Sequence, residues 1–148
     1  MATQQVEVVT AFLRHAGEVL LVCRSERVGS YRGRWAAVSG YLEEQTALAQ
    51  ALREIEEETG IDRSRLRLVA AGEPLAVDDE ALGRHWVVHP FLFDLAVRPP
   101  IRLDWEHSAY RWVRPVALAD LPTVPRLADA LRACWPGAFE ADREDRGE

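Results

Sequence analysis

Residues 6–12 are strongly β-prone and residues 19–22 form a second such run. His15-Ala16-Gly17-Glu18 joins them, which predicts a β-hairpin with Gly17 in its turn. Residues 24–34 are polar, arginine-rich and carry Gly29 and Gly33, the composition of a loop. Residues 35–38 read as a short strand ending at Ser39-Gly40. The clearest helical period lies over 46–59, where Leu48, Leu52, Ile55 and Thr59 recur at the spacing of a buried stripe. Thr46 is placed as its N-cap and Gly60 as its C-terminal stop. Strands are expected over 66–75 and 86–96, with Pro90 marking an edge position or a bulge in the second. A last strand over 109–113 precedes an amphipathic helix over 125–134, with Leu127, Ala130, Leu131 and Cys134 on one face. Strands split by a central helix and closed by another indicate an α+β fold, an α/β/α sandwich around a mixed sheet. One domain is expected over 1–137, followed by a charged, frayed tail over 138–148.

Length agrees with a single domain: 148 residues bury roughly 68–70% of the unfolded surface without a metal or disulfide staple. The balance of 18 basic against 24 acidic residues, net −6, argues against a partner made of nucleic-acid duplex. Every basic side chain except histidine is arginine. Without lysine there is no Schiff-base chemistry, no lysine general base and no P-loop; without asparagine there is no Cys-His-Asn constellation. Cys23 and Cys134 have no CxxC partner and sit among apolar residues, as buried free thiols do. Neither a leader-like run nor a membrane-spanning stretch is evident, so a cytoplasmic protein with no membrane partner is expected.

The informative stretch is Arg53-Glu54-Ile55-Glu56-Glu57-Glu58-Thr59-Gly60-Ile61. On a helix Glu54, Glu57 and Glu58 converge on one face, and by helical geometry that face lies about 140° from the Leu48/Leu52/Ile55 stripe. Like charges at this spacing destabilise a helix by a few tenths of a kcal/mol, so the cluster is no helix-stabilising device. It reads either as an arginine-balanced solvated face or as an oxygen-rich site for a hard divalent cation.

Arg-Glu-hydrophobic-x-Glu-Glu-x-Gly-hydrophobic is the second half of the Nudix box, and its seven specified positions match here. The sequence therefore resembles a Nudix hydrolase over most of its length, with strands, box and closing helix in the family's order. The first half departs from the pattern. Ungapped, the box Gly and early Glu fall on Ser39 and Gln45; with the loop one residue shorter, Gly40 takes the Gly role. Ser39-Gly40-Tyr41-Leu42-Glu43 then resembles the family's Gly-Gly-x-Val-Glu, and Gln45 replaces the early Glu unless Glu44 moves into its place.

The resemblance implies hydrolysis of a diphosphate linked to another moiety, by water attack on phosphorus, in a small-molecule substrate. It also implies that Glu54, Glu57 and Glu58 hold Mg²⁺ or Mn²⁺, with the Gly40 carbonyl as a further ligand and Arg53 orienting a carboxylate. Glu106-His107 ahead of Tyr110-Arg111-Trp112-Val113 resembles a family segment whose Glu serves as base or ligand; a loop salt bridge is the alternative for Glu106, and packing for His107. Arg24, Arg27, Arg32 and Arg34 either receive substrate phosphates or solvate the loop, and Trp35 either stacks on a ring or packs in the core. Trp86 and Trp105 stay open. His85 and His89, about 13 Å apart along a strand, do not make a zinc pair. Family analogy alone suggests a homodimer. The competing reading is a weakly catalytic fold serving as a nucleotide- or metabolite-binding regulatory module, prompted by Ser39 and Gln45. A Nudix-like isopentenyl diphosphate isomerase needs a Cys in a polar site, which Cys23 does not occupy.

Overall fold

The computed structural model describes residues 4–140. Its strands are β1 (Gln4–His15), β2 (Glu18–Arg24), β3 (Trp35–Ala36), β4 (Val38–Tyr41), β5 (Leu66–Ala71), β6 (Leu75–Asp79), β7 (Arg84–Leu95) and β8 (His107–Val113). Two α-helices, α1 (Ala47–Thr59) and α2 (Leu127–Cys134), flank them. The strands form one mixed sheet along the path β3-β2-β1-β7-β5, with β4 also on β1, β6 also on β7 and β8 also on β2.

At its centre β1 and β7 run parallel from Gln4↔Arg84 to Arg14↔Asp94, and both faces of this pair are covered. Val9, Ala11 and Leu13 of β1 pack with Ala51 and Ile55 of α1 on one face. Phe12 packs with Leu127, Ala130 and Leu131 of α2 on the other. Period-two alternation thus sends alternate β1 side chains into two separate cores, giving the expected α/β/α sandwich. The β1–β2 turn holds Ala16 and Gly17 at φ 52° and 79°, the pair of positive angles a tight two-residue hairpin turn requires.

Helix α1 has both expected caps: Thr46 Oγ1 accepts from the Ala49 N–H at 3.1 Å, and Gly60 sits at φ 76° with its N–H on the Glu56 carbonyl. Its apolar stripe is narrower than expected. Ala51, Ile55 and Thr59 are buried, while Leu48 and Leu52 are only partly so.

Several boundaries differ from the sequence expectation. The 66–75 strand is broken at residues 72–74 into β5 and β6, each antiparallel to β7. Pro90 occupies neither an edge nor a bulge. It lies inside β7 opposite that break, where its carbonyl accepts from Gly72 N–H and no neighbouring strand needs the amide hydrogen proline lacks. A Cβ on Gly72 would lie 2.5 Å from the Ala133 carbonyl oxygen of α2, so helix and sheet backbones touch there. Residue 137 does not end the fold, because Ala138 is fully buried and Phe139 packs against the α2 core. Residues 141–148 of the expected tail lie outside the described residues. Both cysteines are free thiols; Cys134 is buried, but Cys23 only partly, where full burial was expected. Among the described residues no helix is long and apolar enough to cross a membrane.

Candidate active site

A cleft of about 330 Å³ opens between the box region and the N-terminal end of α2. One end is lined by Gly40, Glu43, Arg53, Glu54, Glu57 and Glu106. The rest is lined largely by Val8, Leu75, Val77, Val88 and Trp86.

The acidic end departs from the wheel arithmetic. Glu54 and Glu58 are not on an outward face: their side chains turn toward β4, leaving Glu54 9% and Glu58 1% exposed, while Glu57 stays exposed. The reason is that β4 packs along this flank of α1, so positions opposite the leucine stripe also meet the sheet. Burial pushes the Glu54 carboxyl up to about 7, with Glu57 and Glu106 adding repulsion against a lowering hydrogen bond from Gln50. Burial drives Glu58 well above the carboxylate range, and the charges of Glu54, Asp104 and Glu106 add to it.

Neither Glu58 oxygen finds a well-formed hydrogen bond among the described residues. The Ser39 amide faces it, and His107 Nε2 lies 3.5 Å from Oε1. His107 is buried, with Nδ1 2.9 Å from Asp104 Oδ1, and burial lowers its pKa. Glu106 is raised by burial and by its neighbour Asp104. Two buried carboxylates without a matching cation are costly to keep ionised.

Gly40 completes this end. A Cβ there would fall 2.3 Å from the Glu54 carboxyl carbon, so only glycine lets the β4 backbone back onto that carboxylate. Ser39 Oγ makes only a 3.4 Å contact to the Ala37 carbonyl. Arg53 donates from Nε to Glu57 at 3.0 Å and from Nη1 to Glu44 at 3.0 Å, while Gln45 is exposed. Glu44, and not Gln45, therefore makes the close loop contact to Arg53.

A divalent cation suits this end on three observations. The buried Glu58 oxygens have no well-formed hydrogen bond, a backbone approaches Glu54 with no room for a side chain, and the ligands on offer are carboxylate and carbonyl oxygens. Among the described residues no three His, Cys, Asp or Glu side chains yet converge on one coordination point as they stand.

The arginine loop contributes less than its composition suggested. Arg24 lines the cleft, held by its Nε on the Ser30 carbonyl at 2.8 Å. Arg27 instead stacks on Trp105 at 5.6 Å, Arg32 bonds the Val28 carbonyl, and Arg34 bonds the Thr123 carbonyl; none of the three lines the cleft. Trp35 does not line it either. Its ring packs against the α2 core with Arg111 over it, because β3 pairs with β2 and turns the indole toward that layer.

Three cleft residues escaped the sequence reading. Tyr41 stacks on Trp86 with centroids 6.3 Å apart, and Arg84 lies 5.2 Å over the Trp86 ring. Tyr31 Oη donates to Asp79 at 2.5 Å, and burial with that partner pushes its pKa to about 12. Arg126, which precedes α2 at φ 59°, forms part of the far wall. Residues so distant in sequence carry no local signal of meeting.

The family model described as the NUDIX domain matches residues 3–134. Among solved structures, the fold is similar to a MutT protein from Methanosarcina mazei Go1, with TM-score 0.73 and 23% identity over 98% of both chains. It is similar to a C. elegans Ap4A hydrolase, with TM-score 0.70 and 22% identity over 93% of this chain and 98% of that one. It is also similar to the E. coli dihydroneopterin triphosphate pyrophosphohydrolase, with TM-score 0.69 and 21% identity over 89% and 96%. No curated protein matches the chain. With the domain match spanning nearly the whole chain and the box residue Glu54 set against Gly40, the chain belongs to the Nudix family of pyrophosphohydrolases.

Proposed function

We propose that this chain is a metal-dependent hydrolase of the diphosphate linkage in nucleoside-diphosphate-linked or nucleoside-triphosphate substrates. The observation that carries the reading is the pairing of buried Glu58 oxygens that have no well-formed hydrogen bond with a Gly40 backbone laid against Glu54. Glu54, Glu57, Glu58 and the Gly40 carbonyl would hold Mg²⁺ or Mn²⁺. When bound, such a cation neutralises phosphate charge and lowers the pKa of a coordinated water.

The chain's own groups supply the rest. Arg53, tied to Glu44 and Glu57, fixes the Glu57 carboxylate at the cleft rim. Arg24 offers a guanidinium to phosphate oxygens from the same wall. Glu106, also in the wall and raised in pKa, is placed to take a proton from the attacking water. Val8, Val77, Val88 and Trp86 form an apolar bed for the linked moiety. The names of two neighbours, an Ap4A hydrolase and a dihydroneopterin triphosphate pyrophosphohydrolase, both describe polyphosphate substrates.

The regulatory-module alternative arose from Ser39 and Gln45. Gly40 backing onto Glu54, and Glu44 pairing with Arg53, favour the hydrolase reading, because each offers the departing position's chemistry one residue away. Phosphate release should be measured over a panel of nucleoside triphosphates, dinucleoside polyphosphates and nucleoside-diphosphate-linked compounds, with Mg²⁺ and with Mn²⁺. Turnover that chelation abolishes is expected; turnover undiminished by exhaustive chelation overturns the reading.

A further inference from the structure

Gln50 is fully buried in the first half of α1, on the flank that faces the box loop. Buried glutamine is uncommon, and one with every close polar contact satisfied has been placed by its surroundings. Its Oε1 accepts from the amides of both Glu43 and Glu44, at 2.8 Å each. Its Nε2 donates to Glu54 Oε2 at 2.9 Å. Two N–H donors on one end fix the oxygen there, so the amide orientation follows from the network.

The same side chain therefore grips two things at once. The loop it holds leads directly from Gly40, and the carboxylate it holds is the one Gly40 backs onto. Only a side-chain amide of this length combines a two-fold acceptor and a donor in one group; asparagine is shorter, and glutamate has no donor when ionised. The bond also engages Oε2 of Glu54 and leaves Oε1 without a bond from Gln50.

We infer that Gln50 is a positioning residue that couples the shortened box loop to Glu54, fixing which Glu54 oxygen faces the cation and holding the Gly40 backbone beside it. The inference rests on the proposed cation site, and it goes beyond that site by assigning its pre-organisation to a position that the Nudix pattern leaves unspecified.

The test uses the full chain with Mn²⁺ as probe. Binding to the metal-free protein is measured from free Mn²⁺ by electron paramagnetic resonance, and hydrogen exchange is followed at the Glu43 and Glu44 amides. Gln50→Met keeps the side-chain length and removes all three hydrogen bonds. It should weaken Mn²⁺ binding at least tenfold, unprotect both amides, and restore kcat to within about threefold at saturating Mn²⁺. Lowered thermal stability with Mn²⁺ affinity unchanged would mean a packing role only and overturns the inference. If Gln50→Met does not fold, Gln50→Glu decides: it keeps the acceptor for both amides and puts an acceptor where Glu54 met a donor. Protected amides with Mn²⁺ affinity altered more than threefold support the inference, and unaltered affinity overturns it. A parent protein that binds no Mn²⁺ would instead refute the cation site itself.

Discussion

Replacing Gly40 by alanine is the sharpest perturbation the site offers, because one methyl group tests a contact without disturbing the backbone. Gly40 is not among the residues at positive φ, so an L-residue can adopt its conformation. The difficulty is space: the new Cβ would lie 2.3 Å from the Glu54 carboxyl carbon and 2.4 and 2.6 Å from its oxygens. The carboxylate must swing away by more than an ångström, releasing Gln50 Nε2. Losing a hydrogen bond to a charged group costs about 1.5–3 kcal/mol. Two effects oppose that loss. Alanine narrows the unfolded ensemble by about 0.4–1 kcal/mol. A Glu54 freed toward water also escapes the burial that raises its pKa from 4.5 to about 7, worth about 3 kcal/mol at alkaline pH. The sum runs from about 0.4 to about 2.5 kcal/mol in favour of the variant at alkaline pH, so the metal-free melting temperature should hold or rise, by no more than about 10 °C. Turnover should nevertheless fall at least about a hundredfold, since about 2.7 kcal/mol of transition-state stabilisation leaves with a single ligand. Ser39→Ala, which loses only a 3.4 Å contact, is the control and should stay within about threefold. Differential scanning fluorimetry in chelator and steady-state phosphate release with Mn²⁺ check both halves. A Gly40→Ala protein retaining a third of parental turnover would refute the reasoning.

Glu57→Gln and Glu58→Gln should each remove most turnover. Glu58→Gln should melt higher than the parent in chelator at pH 8, because it discards a buried charge; a large loss of stability would place Glu58 in a structural network. Metal-free stability should fall from pH 6.5 to 8. Glu54 and Glu58 have folded pKa values above their unfolded ones; the Glu54 contribution is complete below about 4.5 and gone once pH passes about 7, and Glu58, held well above the carboxylate range, goes on losing its own as pH rises further. Buried His107, lowered below 6.5, acts only beneath this window, so a melting temperature rising with pH there would contradict the assignment. Arg24→Ala should raise KM about tenfold and Arg34→Ala should not, since only Arg24 lines the cleft; equal effects in saturation curves would count against this division of the loop.

What the sequence made legible was whatever its local chemistry determines. The hairpin turn at Ala16-Gly17 and the Thr46 and Gly60 caps are settled by a few neighbouring residues, and each sits where expected. The box glutamates were legible as a set but not in their burial, because a helical wheel shows one core-facing stripe and cannot show β4 closing on a second flank. Trp35 and Arg34 stood next to the site in sequence and away from it in space, since β3 turns them toward α2 and Thr123. Pro90 looked like an edge signal; the break between β5 and β6 supplied a gap of the right length instead. Gln50 was invisible because its partners, two loop amides and a carboxylate, are ordinary until the loop is closed.

The contact between Gly72 and the Ala133 carbonyl bears on how a substrate enters. Where backbone meets backbone, no rotamer is available to absorb sliding, so the C-terminal end of α2 is clamped to the seam between β5 and β6. The opposite end of the same short helix carries Leu127 and Ala130 into the cleft wall. Helix α2 is thus a fixed jamb and not a door. Ser30, Tyr31, Val124, Pro125 and Arg126, which line the cleft from outside any helix or strand, are left as the more adjustable part of its wall.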